Sequence, residues 1–184
     1  MIEVELKAHV RDPEDLRRLL RRRADEELST YRDTYYDRTD GTLTGEGREL
    51  RVRVIDQAGT RRTLLTYKEP AVDEASRSKP EHETNVADPI VINTVLRALG
   101  AVEHVRLTKH CVNYRFTAAG RNMLATVVTV PELAGTFVEL ETMADADEID
   151  EALTDIRTVL TNLGISEDDL TTEQYTDAVL QARS

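Results

Sequence analysis

Four carboxylates stand out by their spacing: Glu3 and Glu5 in "IEVELK", and Glu139 and Glu141 in "FVELET", each pair split by one apolar residue. Six cations repeat the alternation: Lys7, then Arg51 and Arg53 in "RELRVRV", Lys68 in "TLLTYKE", Lys79 in "SKPEHETNV" and Lys109 in "RLTKHCV". Glu81 and Glu83 fall on the face of Lys79, which brings the same-face acids to six against six bases. Paired carboxylates suit hard divalent cations such as Mg2+ or Mn2+. Lysines and arginines suit polyphosphate oxygens, Arg as a fork and Lys as a point charge. One strand of this kind is ordinarily a surface strand with a wetted face. The argument rests on repetition.

Successive side chains of a strand point to opposite faces, so each of these segments has one charged and one apolar face. About eight strands are predicted, mostly joined by hairpins. Helices are predicted from Asp12–Pro13, from Asp88–Pro89 to the stop at Gly100, from near Asp145, and over "TTEQYTDAVLQ". Amphipathic helices need an apolar surface, and the apolar strand face offers it. An open antiparallel sheet of this size leaves long edges, which closure removes. The expectation is an α+β fold: an eight-stranded antiparallel closed β-barrel, charged inside, with flanking helices, in a single domain over 1–184. Buried unpaired ions are costly, so the interior should hold water and something ionic. Polyphosphate with a divalent metal is the simplest filling.

Composition narrows the alternatives. Acids number 35 against 24 Lys plus Arg, a net charge of −11, which disfavours nucleic acid and anionic membranes as partners. No apolar run is long enough to cross a bilayer, and the chain opens on a charged strand, so a soluble cytoplasmic protein is expected. Only four lysines accompany twenty arginines, a balance expected of a protein working in concentrated salt. Cys111 is the sole cysteine, and four scattered histidines give no zinc spacing. The "RRLLRRR" run is bracketed by acids and reads as a solvated helix face, "GEG" leads into a strand and so reads as a loop, and "AVDEASRS" reads as an acidic loop.

In order along the chain, "EVELK", "DTYYD", "LRVR", "LTYKEP", "KPEHE", "LTKH" and "GTFVELE" resemble the CYTH proteins, the triphosphate tunnel metalloenzymes. That family includes class IV adenylyl cyclases, thiamine triphosphatases and inorganic triphosphatases; the "TTEQYTDAVL" segment around Tyr175 resembles the closing helix of the cyclase branch. The resemblance implies a barrel that binds a nucleoside or inorganic triphosphate with Mg2+ or Mn2+. It implies Glu3, Glu5, Glu139 and Glu141 as metal-associated carboxylates, with Glu81 and Glu83 as further candidates. Lys7, Arg51, Arg53, Lys68, Lys79 and Lys109 become the phosphate clamp, and Glu3, Glu5 and Lys7 the catalytic residues. Relatives often form homodimers, the sole ground for expecting one here. Two departures stand out: Cys111, where the family more often has Arg, and Thr129, taken as the family's aspartate position. They keep three readings open: cyclase, triphosphatase, and a non-catalytic triphosphate binder.

Overall fold

The computed structural model describes residues 2–72 and 79–184. Its strands are β1 (Ile2–Val10), β2 (Glu27–Asp37), β3 (Glu49–Gln57), β4 (Thr60–Lys68), β5 (Glu81–Val86), β6 (Val102–Ala118), β7 (Arg121–Thr129) and β8 (Thr136–Ala144). The helices are α1 (Pro13–Leu20), α2 (Thr42–Gly45), α3 (Pro89–Ala98), α4 (Ile149–Asn162) and α5 (Tyr175–Ala182). All eight strands form one antiparallel sheet in the order β1-β8-β7-β6-β2-β3-β4-β5. Most of the expected acidic loop, 73–78, lies outside the described residues.

The sheet curls until its two edges meet at one point, an isolated bridge between Glu3 and Lys79 just ahead of β5. No ladder joins β1 to β5 among the described residues, so the observed architecture is a curled, half-barrel sheet with flanking helices. Curling turns one face of every strand inward. The other face packs outward: Val4 and Ala8 of β1 and Leu140 of β8 are buried beneath Leu16 and Leu20 of α1 and Ile156 and Leu160 of α4. Burying each such aliphatic side chain contributes on the order of 1.5–3 kcal/mol, which the alternation in "IEVELK" and "FVELET" directs to the helix side. On the opposite wall, Leu96 of α3 packs on Val52 and Tyr36.

Local grammar sets the helix ends. Asp12 accepts from the Asp15 amide at 3.0 Å, and Asp88 from the Ile90 amide at 2.7 Å, each with Pro following at the first helical position. Gly100, at φ 91°, ends the α3 segment in a conformation glycine adopts without penalty. Two helix starts differ from expectation. The fourth begins at Ile149 instead of near Asp145. The last begins at Tyr175, because Leu170 bridges Ala8 and the Thr171 amide donates to the Lys7 carbonyl at 2.8 Å, which keeps residues 171–174 out of the helix and alongside β1. Among the described residues, no helix is long and apolar enough to cross a membrane.

Candidate triphosphate and metal site

The curl encloses a cavity of about 310 Å³ lined by seven glutamates and eight cations, including all four lysines of the chain. Glu3, Glu5 and Lys7 reach it from β1, Glu139 and Glu141 from β8, Arg51 and Arg53 from β3, Lys68 from β4, Lys109 from β6, and Lys79, Glu81 and Glu83 from β5 and its approach. The alternating pattern thus brings all twelve same-face charges into one space.

They are not equivalent there. Lys68 is shared by Glu3 and Glu81, at 2.8 Å from each; Lys109 donates to Glu139 at 2.9 Å; Lys79 donates to Glu49 at 2.5 Å. Arg53 forms two 2.7 Å bonds with Asp33, whose side chain is wholly buried, and stacks on Tyr31 at 4.6 Å. Burial alone would raise the Asp33 pKa, but the guanidinium overrides it and holds the carboxylate below its usual range. Glu83 accepts from Thr66 at 3.0 Å.

Two cations differ. Arg51 is buried, and among the described residues it forms no ion pair: its nearest polar contacts are Tyr35 and Thr66 at 3.5 Å, and its Nε has no hydrogen-bond partner. Among the described residues Lys7 has no carboxylate within ion-pair distance either; its ammonium donates to the Glu173 carbonyl and sits 4.3 Å from the Tyr175 ring centre. Burial lowers its pKa, against the pull of Glu139 and Glu5.

The acids also separate. Glu3, Glu5 and Glu141 converge, with one carboxylate oxygen from each lying within 4.8 Å of the others. Burial first, then Glu139 and Glu3, push the Glu5 pKa up to about 7; burial, then Glu3, Glu5 and Glu139, raise Glu141 well above its ordinary value. Glu139, by contrast, is held low: Lys109 outweighs the burial that would raise it. Three converging hard oxygen donors, two of which (Glu5 and Glu141) are held toward their protonated form, fit a divalent cation. Glu139 stands apart, with the lysines.

Several lining residues were not among the sequence candidates. Glu49 lines the cavity and Asp33 stands behind Arg53; they share the parity of Arg51 and of Tyr35, so a strict reading of alternation could have found them. Arg62, Arg115 and Tyr175 also line the cavity. The two departures resolve differently. Cys111 faces inward, buried with Val105 and Val128, and burial pushes its thiol up to about 12, so it is a neutral packing group. Thr129 is exposed and borders a separate outer groove with Pro13 and His110; the inward side chains of β7 are Leu124, Thr126 and Val128. The expectation that Thr129 removes a carboxylate from the interior is therefore wrong, because the two-residue period of β7 turns position 129 outward. The interior is also not charged throughout. At one end Val105, Leu107, Val128 and Phe137 form an apolar plug with Tyr175 and Val179 of α5.

The fold and the cavity together define a class: a curled antiparallel sheet that gathers cations beside a cluster of carboxylates. The chain belongs to the CYTH domain family, whose model matches residues 1–175. It is 27% identical over 178 residues, 95% of this chain and 97% of the relative, to the Methanocaldococcus jannaschii protein named "Putative adenylate cyclase MJ0240". Among solved structures, the PH1819 protein of Pyrococcus horikoshii matches with a TM-score of 0.83 at 25% identity, covering 97% of this chain and 98% of that one. HpAC1 of Hippeastrum, described as an adenylyl cyclase candidate with a dominant triphosphatase activity, has the same fold at TM-score 0.65 and 16% identity, over 98% of this chain and 95% of that one.

Proposed function

We propose that the chain acts as one unit over 1–184, a metal-dependent phosphoryl-transfer protein that takes a triphosphate into the curled sheet, with class IV adenylyl cyclase chemistry as its activity. The observation that carries this is the unequal pairing of the interior charges. Among the described residues Arg51 and Lys7 are cations without a carboxylate in ion-pair contact, and Glu3, Glu5 and Glu141 form an acidic cluster that a cation would neutralise. A triphosphate–metal complex would satisfy both at once, and the sheet would work as a closed tunnel around it.

In this reading Arg51, Arg53, Lys7, Lys68, Lys79 and Lys109 hold the phosphate oxygens, and Lys7 is free to exchange the Glu173 carbonyl for one of them. Glu3, Glu5 and Glu141 would hold Mg2+ or Mn2+, which neutralises charge developing on phosphate oxygens. The protein's part is positioning: phosphates fixed by the clamp set the α-phosphorus of ATP in line with the ribose 3′-hydroxyl, and pyrophosphate departs as the cyclic ester forms. The jannaschii relative's name and near full-length match support this activity. A second reading, hydrolysis of the terminal phosphate by water, shares the same residues and is supported by the Hippeastrum fold neighbour. The non-catalytic reading no longer draws on Thr129, which lies outside the cavity. Glu81 and Glu83 act here as charge partners within the clamp. A cytoplasmic homodimer adapted to salt remains part of the proposal.

The test is full-length protein with ATP and Mn2+ or Mg2+ in molar KCl, all products separated. Cyclic AMP with pyrophosphate is expected. ADP with phosphate would replace the cyclase reading by the triphosphatase one, and ATP binding without turnover would leave only a binder.

A further inference from the structure

Tyr175 brings a buried hydroxyl into the cavity whose one polar neighbour among the described residues is the Glu139 carboxylate. The residue opens α5, is 7% exposed and lines the tunnel, yet its buried hydroxyl has no partner in hydrogen-bond geometry. It lies beside Glu139, whose Oε1 already accepts from Lys109 at 2.9 Å. A hydroxyl whose neighbour is a carboxylate already held by Lys109, and with which it is not aligned as a hydrogen bond, is poised to donate to a stronger acceptor that arrives in the cavity.

The ring has a second relation to the site. Lys7 Nζ is 4.3 Å and Lys109 Nζ 4.2 Å from its centroid, so one aromatic ring holds two ammonium groups that would otherwise repel. Its placement is firm. The edge of the ring meets Phe137 at a centroid distance of 5.2 Å and 89°, and the Thr171 amide ties the preceding segment to the Lys7 carbonyl at 2.8 Å.

We propose that Tyr175 is a ligand of the bound triphosphate: its hydroxyl donates to an anionic phosphate oxygen while its ring positions Lys7 and Lys109 for the same group. The inference rests on the triphosphate reading of the tunnel. It adds a residue from outside the sheet, delivered by the C-terminal segment, to a clamp otherwise built from strands.

Two measurements on the full chain test it, with inorganic triphosphate and Mn2+ as probes. Calorimetry compares the parent with Tyr175→Phe, which keeps the ring and removes only the hydroxyl. Triphosphate binding should weaken ten- to hundredfold, the range for a hydrogen bond to a charged acceptor, with Mn2+ affinity unchanged. Because the chain has only four lysines, lysine-selective labelling gives a spectrum simple enough to follow each ammonium-bearing methylene. The Lys7 and Lys109 signals should show ring-current displacement in parent and Tyr175→Phe, and lose it in Tyr175→Leu. Parent and Tyr175→Phe binding triphosphate equally would overturn the role of Tyr175 alone. Loss of Mn2+ affinity in place of triphosphate affinity would assign the hydroxyl to the carboxylate cluster and overturn it too. Failure of the parent to bind triphosphate would remove the tunnel reading and this inference together.

Discussion

Two walls of the same cavity treat charge in opposite ways. On β2–β3, Asp33 and Arg53 face each other in register and close a two-bond pair. On β1–β8, Glu5 faces Glu141 in register, so two carboxylates meet where the other wall has an ion pair, and Glu3 adds a third. The first wall is complete in itself. The second carries a repulsion that the fold tolerates and a divalent cation would relieve, which is the usual mark of a site as opposed to a structural ion pair. Removing a carboxylate should therefore have opposite effects on the two walls.

The largest effect is expected on the complete wall. Asp33→Asn strands the Arg53 guanidinium, and breaking a buried pair from one side costs about 3–5 kcal/mol. For a chain of this length that lowers Tm by roughly 10–15 °C. Mn2+ affinity of the folded protein should not change; a loss there would mean that the two walls are not independent.

Next comes the pair Glu139 and Glu141, which alternation alone cannot tell apart. Glu139→Gln should destabilise the protein, because Lys109 loses its 2.9 Å partner. Glu141→Gln should do the reverse, stabilising the metal-free protein by about 1–2 kcal/mol through relief of like charge while abolishing the Mn2+-induced rise in Tm. Equal behaviour of the two variants in thermal denaturation would erase the distinction drawn between them.

Arg51→Gln isolates the cation side. With no carboxylate to strand among the described residues, the change should leave stability within about 1 kcal/mol of the parent. It should weaken inorganic triphosphate binding by roughly ten- to hundredfold, the worth of charge-assisted bonds to one guanidinium. Calorimetric titration checks it, and unaltered affinity would take Arg51 out of the clamp.

Much of this contrast was legible in the sequence and part was not, for a physical reason. Alternation fixes which face a side chain takes, so the twelve charges and the outward Val4, Ala8 and Leu140 could be read from period two. Caps at Asp12 and Asp88 are local and were equally plain. What alternation cannot give is the partner across the curl. Lys68 finds Glu3 from β4, next to the far edge of the sheet and 65 residues away in sequence. Whether Glu139 joins the acids or the lysines depends on that curvature. Tyr175 was visible only as part of a closing helix, because its place in the cavity is set by residues 171–174 running along β1. The error at Thr129 has the same root: position 129 was assigned by likeness, and the parity of β7 decided otherwise.

The smallest expected effect sharpens the contrast by pH. Glu5, pushed up to about 7 from 4.5, binds its proton more tightly folded than unfolded. Its contribution to metal-free stability is thus greatest at low pH and declines as pH rises from about 4.5 to 7. Asp33 has the opposite sign, since its pKa is lowered; its contribution is complete above the unfolded value and is lost only in more acidic solution. Between pH 5 and 7 the two walls therefore separate, and the difference between parent and Glu5→Gln reports the acidic cluster alone. That difference should widen toward pH 7.5 in favour of the variant, with a slope of at most about 1.4 kcal/mol per pH unit for one proton. Mn2+ must displace the same proton, so its stabilisation of the parent should grow from pH 6 to 8. A metal-free difference that is flat with pH would show that Glu5 ionises normally, and the two walls would then differ in geometry but not in energy.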